Sequence, residues 1–261
     1  MIVGQFNYIR LLKISCFFII AGNGTALLTG SSSLGHLFSN ASVIEIIFGW
    51  CLIFVALPFM LPTSTLKKWK AHYLLLPASA LLLTTSYASF IESGYVPEQL
   101  IEHAIQLFTP IILLRQLAFT PIQTEETVIS LKVLVALTFI GHGLFALGAH
   151  YVPSGFVDMT TEILGITLPN TYIFLDIVGY LDILCALLLF LNFPFKPVYF
   201  YLIFWGLITA LARLAFGLLI NEGSAMDMVY WISNMLYRLP HGIIPLLLLQ
   251  FYRPANQTSS I

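Results

Sequence analysis

The sequence predicts an all-α polytopic membrane helix bundle that crosses the bilayer about eight times, arranged as two parallel four-helix repeats. Three observations carry this reading. Apolar residues make up 59% of the 261 positions and charged residues only 9%, with a mean hydropathy of +0.92; an ordinary soluble domain carries about 25% charge and could not cover its surface with so few. Apolar runs near the length of one helical span, roughly 20 residues, recur along nearly the whole chain. Between those runs, connections rich in lysine and arginine alternate with connections that have none.

The runs fall at 11–29, 43–61, 72–90, 100–119, 130–149, 172–193, 198–220 and 229–251. Lipid offers no partner to backbone N–H and C=O groups, so each run is read as a helix; the alternation of a barrel strand is absent. Arg10 and Lys13 ahead of the first run resemble the start of a signal peptide. No cleavage site of small residues follows, so this run is read as a retained first span. Pro58 and Pro62 help to end the second run, and Pro194 and Pro197 separate the sixth from the seventh. Pro77, Pro110 and Pro245 lie within runs and predict kinks.

Orientation follows from the basic residues. Arg10, Lys13, Lys67, Lys68, Lys70, Arg115, Lys132, Lys196 and Arg253 all belong to one side. The opposite connections, 30–42, 91–99, 150–171 and 221–228, hold no lysine or arginine. Both termini are therefore predicted on the cytoplasmic side of a cytoplasmic (inner) membrane. The long connection 150–171 carries Phe156, Met159, Ile163 and Leu164 at near-helical spacing, which suits an amphipathic segment on the outer surface; an irregular loop is the alternative.

The chain also looks duplicated, with one repeat in 1–122 and the other in 123–261. One displacement lays Lys13 on Lys132 and Gly22-Asn23-Gly24 on Gly141-His142-Gly143. Past the longer second-half loop, Glu45 aligns with Asp182, Ile91-Glu92-Ser93-Gly94 with Ile220-Asn221-Glu222-Gly223, and Pro110 with Pro245. Four helices per repeat is an even number, so the halves share one orientation.

A polar group inside a span is costly and therefore informative. The second half places His142, Asp182, Arg213, Arg238 and His241 within its runs; these are the candidate ligand-binding residues. Arg238 and His241, three apart, share a helix face. The first half has milder counterparts in Asn23, Thr84, His103 and Gln106. Two arginines against one acid suit an anion or a carbonyl, which guanidinium grips with a fixed fork of donors; Asp176 lies close enough in sequence to offset the surplus. The competing reading is a structural salt bridge from either arginine to Asp182. His142 and His241 admit three readings: a helix-interface hydrogen bond, proton exchange or axial ligation of haem. Gly22, Gly24, Gly141, Gly143 and Gly148 follow no strand and read as helix-packing residues rather than a phosphate loop.

Other classes find no support. The net charge of −1 lacks the basic footprint of nucleic-acid binding. Cys16, Cys51 and Cys185 lie far apart inside apolar runs, with no C-x-x-C. His36, His150, Asp158 and Glu162 read as solvated loop charge, and no metal site is predicted. No serine or cysteine nucleophile stands near a histidine in a recognisable arrangement.

A four-helix repeat with a basic residue before its first helix, glycines at that helix's outer end, an outer segment and then an acid opening the second helix has a parallel. In the stretch Val178-Gly179-Tyr180-Leu181-Asp182-Ile183-Leu184 it resembles the DoxX-like family of small bacterial membrane proteins. That resemblance implies a tandem fusion of two four-helix units. It also implies a pocket for a quinone or other small molecule, some members being linked to thiosulfate:quinone oxidoreduction. Three functions stay open: a binding or redox-accessory subunit for a quinone-like or small anionic ligand, a proton-coupled transporter of a small anion, and a structural subunit. Enzymatic activity is left undecided. The bilayer is the one partner the sequence requires.

Overall fold

A computed structural model describes residues 2–30, 33–119, 125–191, 196–220 and 224–251, with side chains of the first helix described from Tyr8 onward. Every regular element among them is helical. The α-helices are α1 (Ile2–Leu28), α2 (Ala41–Ala56), α3 (Thr63–Lys68), α4 (Leu75–Glu92), α5 (Pro97–Ile101), α6 (Ala104–Ala118), α7 (Glu125–Ala146), α8 (Ser154–Leu164), α9 (Leu168–Leu188), α10 (Lys196–Ile220), α11 (Ala225–Arg238) and α12 (Pro240–Gln250). Single 3-10 turns extend α2 at its end and α4 at its start. Six helical segments are long and apolar enough to cross a membrane, containing α1, α2, α4, α7, α9 and α10.

The remaining two apolar runs are each built from two helices. In the fourth, α5 ends at Ile101 and α6 begins at Ala104, with Glu102 and His103 at the join. In the eighth, α11 and α12 meet at Leu239, where Pro240 cannot donate a backbone hydrogen bond. Pro110 and Pro245 lie inside α6 and α12. Pro77 is the third residue of α4, where a missing N–H breaks no helical bond.

Helices α1, α6, α7 and α12 form the centre, and one continuous apolar core runs through Leu12, Ile19, Leu113, Leu131, Val135 and Leu247. The outward faces are equally apolar. Phe54 is 63% exposed, and Ile46, Ile47 and Trp50 share that face of α2, as Ile173, Ile177, Tyr180 and Leu184 do on α9. An apolar belt this wide belongs against lipid.

Glycines set the closest helix approaches, as is usual where no hydrophobic force drives helices together in lipid. A methyl group at Gly22 would lie 2.7 Å from the Tyr237 backbone nitrogen, joining α1 to α11. One at Gly141 would lie 2.7 Å from the Glu102 backbone nitrogen, joining α7 to the α5–α6 turn. Gly24 meets the Gly49 carbonyl across α1 and α2, and Gly143 meets the Gly179 carbonyl across α7 and α9.

Candidate functional site

The 150–171 connection forms α8, an amphipathic helix ended by Gly165 in the left-handed conformation (φ +61°) that an L side chain rarely adopts. It packs on α9 and α10. Phe156, Met159, Ile163 and Leu164, the four residues with helical spacing in the sequence, line one side of a cavity of about 170 Å³. The opposite walls come from α7, α9, α10, α11 and α12. All five candidate residues, His142, Asp182, Arg213, Arg238 and His241, line this cavity. Phe139, Phe174, Leu175, Val178 and Trp205 supply most of the remaining wall.

The electrostatic pairing differs from the sequence expectation. Asp182 is 3% exposed and accepts a hydrogen bond from the Tyr201 hydroxyl at 2.7 Å. It forms no ion pair with either arginine, because α10 offers Tyr201 to the carboxylate. Arg238 donates from Nη1 to the Asn234 side chain at 3.1 Å and lies 4.6 Å from the Tyr237 ring centre, while its buried Nε has no hydrogen-bond partner. Arg213 lies 5.8 Å from the Phe156 ring centre. No carboxylate approaches within 4.0 Å of either guanidinium among the described residues. Asp176, the other candidate partner, is exposed on α9.

The acid beside His142 is Glu102, which sequence reasoning passed over because it opens an apolar run. Glu102 is 6% exposed; its Oε1 lies 3.4 Å from His103 Nε2 and its Oε2 lies 3.6 Å from His142 Nδ1. The His142 ring in turn meets the His241 ring edge-on, with centres 5.3 Å apart, and stacks on Phe156 at 6.0 Å. His241 is 2% exposed and its Nε2 has no hydrogen-bond partner, nor has His142 Nε2. The carbonyl of His241 lies 2.5 Å from the position a methyl would take at Gly206, so this glycine lets α12 close on α10. A signal for Glu102 was present: Pro97 with Glu98, Glu102 and His103 is polar punctuation, the mark of a helix start.

One turn before Glu102, Glu98 is 2% exposed and its Oε1 lies 2.7 Å from Nδ1 of His150, whose side chain is 54% exposed. Tyr151 sits beside these acids; partial burial, with Glu102, Glu98 and Glu92 nearby, holds its phenol above the ordinary value.

The cavity is smaller than the usual small-molecule pocket of about 300–1,000 Å³. It suits a single ring or a small anion with a polar head, and a haem macrocycle does not fit. With their rings in edge contact, His142 and His241 leave no place for iron between them. No group of three or more His, Cys, Asp or Glu side chains is placed to hold a metal ion among the described residues. Comparison with family models, with curated proteins and with solved structures found no match.

Proposed function

We propose that this chain is a multi-pass protein of the cytoplasmic membrane that holds a quinone-like or small anionic ligand in the cavity beneath α8, as a binding or redox-accessory subunit. The carrying observation is that Arg213 and Arg238 line an aromatic cavity without a carboxylate partner among the described residues. Guanidinium donors in an apolar wall are costly unless an acceptor is supplied, and a ligand carbonyl or anion supplies one. His142 and His241 stand beside that head group with ring nitrogens to spare.

In this reading the chain is two parallel repeats, 1–122 and 123–261, with eight spans and both ends cytoplasmic. The matched glycine contacts support it: Gly22 on Tyr237 is repeated by Gly141 on Glu102, and Gly24 on Gly49 by Gly143 on Gly179. The first helix of each half thus packs on the broken fourth segment of the other, as expected of a pseudo-twofold axis along the membrane normal. These contacts align Gly49 with Gly179, which puts Leu52, rather than Glu45, in the position of Asp182. The resemblance to the DoxX-like family then rests on the helix plan more than on a shared acid.

A second reading, a proton-coupled transporter of a small anion, is favoured by the two helix breaks. Discontinuous segments at corresponding positions in two repeats are where transporters place their sites. Here Glu102 and His103 lie at one break and Arg238 and His241 flank the other.

The test is protein purified in mild detergent, with a visible spectrum first and then solvent extraction and mass spectrometry. A stoichiometric quinone or anionic metabolite that is lost from an Arg213→Ala/Arg238→Ala variant supports binding. Only bulk lipid in both proteins removes tight binding and leaves the transporter, for which uptake into proteoliposomes driven by a pH gradient is the measurement.

A further inference from the structure

We propose that Glu98, Glu102 and His142 form a proton route from the exposed His150 to His241 in the cavity wall. The inference deepens the ligand-binding reading, since it concerns how protons reach that site, but its test does not need the ligand.

The groups are ordered in space. His150 Nδ1 and Glu98 Oε1 are 2.7 Å apart, a hydrogen bond from the surface to a carboxylate whose side chain is only 3% exposed. Glu102 follows one helical turn later, the spacing at which side chains are neighbours on a helix face, and its backbone N–H donates to the Glu98 carbonyl at 2.9 Å. Glu102 Oε2 lies 3.6 Å from His142 Nδ1, and the His142 ring touches His241. Gly141 permits this sequence, because α7 approaches the Glu102 backbone only where no Cβ intervenes.

Three buried atoms along the line have no hydrogen-bond partner: Glu98 Oε2, His142 Nε2 and His241 Nε2. Buried polar atoms are nearly always paired, and exceptions call for an explanation. Strung between a surface histidine and a cavity, they are the free ends that a relay needs, since each group must accept a proton on one atom and release one from another.

The charges around the line favour movement over trapping. Two carboxylates one turn apart resist ionising together. A proton that reaches His241 stands in the cavity wall, where a bound anion is its acceptor.

The transfers balance. His150 gives its Nδ1 proton to Glu98 Oε1 and takes one from bulk water at Nε2. Glu98 passes a proton to Glu102, which gives it from Oε2 to His142 Nδ1. His142 releases its proton from Nε2 to His241 or directly to the ligand. The line approaches through α5 and α7, which pack on each other.

The experiment is proton-detected solid-state NMR of ¹⁵N-histidine-labelled protein in lipid bilayers, following exchange of the His142 and His241 ring protons with water. Glu98→Gln keeps an acceptor for His150 but cannot carry a proton; it should slow that exchange at least tenfold, with Glu98→Asp restoring it. Glu102→Gln, a neutral isostere, should slow it equally and covers the case in which Glu98→Gln does not fold. His36, paired with Glu92 and outside the line, should be unaffected and serves as the internal reference. Unchanged exchange at His142 and His241 in either folded variant overturns the route. Loss of ligand co-purification from the arginine variants, with exchange unaltered by Glu98→Gln, would leave the binding reading standing without it.

Discussion

The Tyr201 hydroxyl donates to Asp182 at 2.7 Å, so the buried acid of α9 is paired with a phenol of α10 and with neither arginine. Opposite charges in neighbouring spans suggest an ion pair on paper. In the fold, Asp182 and both arginines line one cavity without pairing.

This arrangement predicts which pairs couple. Removing Tyr201's hydroxyl leaves a buried carboxylate without that partner, which costs about 1–3 kcal/mol. Unfolding in bicelles should show Tyr201→Phe destabilised by that order. A double-mutant cycle with Asp182→Ala should give a coupling near 1 kcal/mol, whereas Asp182→Ala and Arg238→Ala should add within about 0.5 kcal/mol. Strong coupling in the second cycle would restore the structural salt bridge.

Arg213 should behave as a residue kept for function rather than for stability. It lies against Phe156 with no carboxylate within 4.0 Å among the described residues. Arg213 is half-buried, and replacing such an unpaired charge with an apolar side chain of similar length should be neutral or stabilising. Arg213→Met should therefore leave Tm unchanged or raise it while abolishing ligand co-purification. A fall in Tm equivalent to about 2 kcal/mol or more would point instead to a fold-supporting contact.

What the sequence made legible follows from the cost of polarity in lipid. His142, Asp182, Arg213, Arg238 and His241 each interrupt an apolar run, so all five stood out, and all five line one cavity. The helical spacing of Phe156, Met159, Ile163 and Leu164 also suited an amphipathic segment, which α8 is, but not its place as a wall of the cavity. Glu98 and Glu102 were passed over because they sit where a run begins, and acids at a span boundary ordinarily belong to solvent. Their burial depends on how closely α7 approaches the turn between α5 and α6, a tertiary fact set by Gly141. Tyr201 was hidden for a related reason: hydropathy treats a tyrosine near a span end as an interfacial anchor and does not register a bond to an acid across helices.

Gly141 is accordingly a sensitive small residue beside Glu102. Its added methyl would meet Glu102's backbone at 2.7 Å and 2.9 Å, which no rotamer change relieves. Gly141→Ala should cost about 1–3 kcal/mol, as overpacking does, and should separate Glu102 from His142. Gly155→Ala in α8, where a methyl meets nothing within 4 Å, is the control and should be neutral or slightly stabilising. Equal effects of the two changes in a thermal unfolding assay would show that the α7–α5 approach is not tight.

Sidedness can be tested through residues on opposite sides of the proposed membrane. Asp158 on α8 and Lys67 on α3 are both exposed, and the orientation from basic residues puts the first outside and the second inside. Cys51 is exposed while Cys16 and Cys185 are buried, so all three are first replaced to give a silent background. Asp158→Cys should then react with a membrane-impermeant maleimide on intact spheroplasts. Lys67→Cys should react only once the membrane is opened. The reverse pattern would place α8 and its cavity on the cytoplasmic side, and proton entry at His150 would then draw on the cytoplasm. Reaction of both from one side would show an odd number of crossings between residues 67 and 158 to be wrong, because the parallel-repeat plan requires three there. Either result bears on the proposal that α5–α6, whose turn holds Glu102 beside His142, crosses as one broken span.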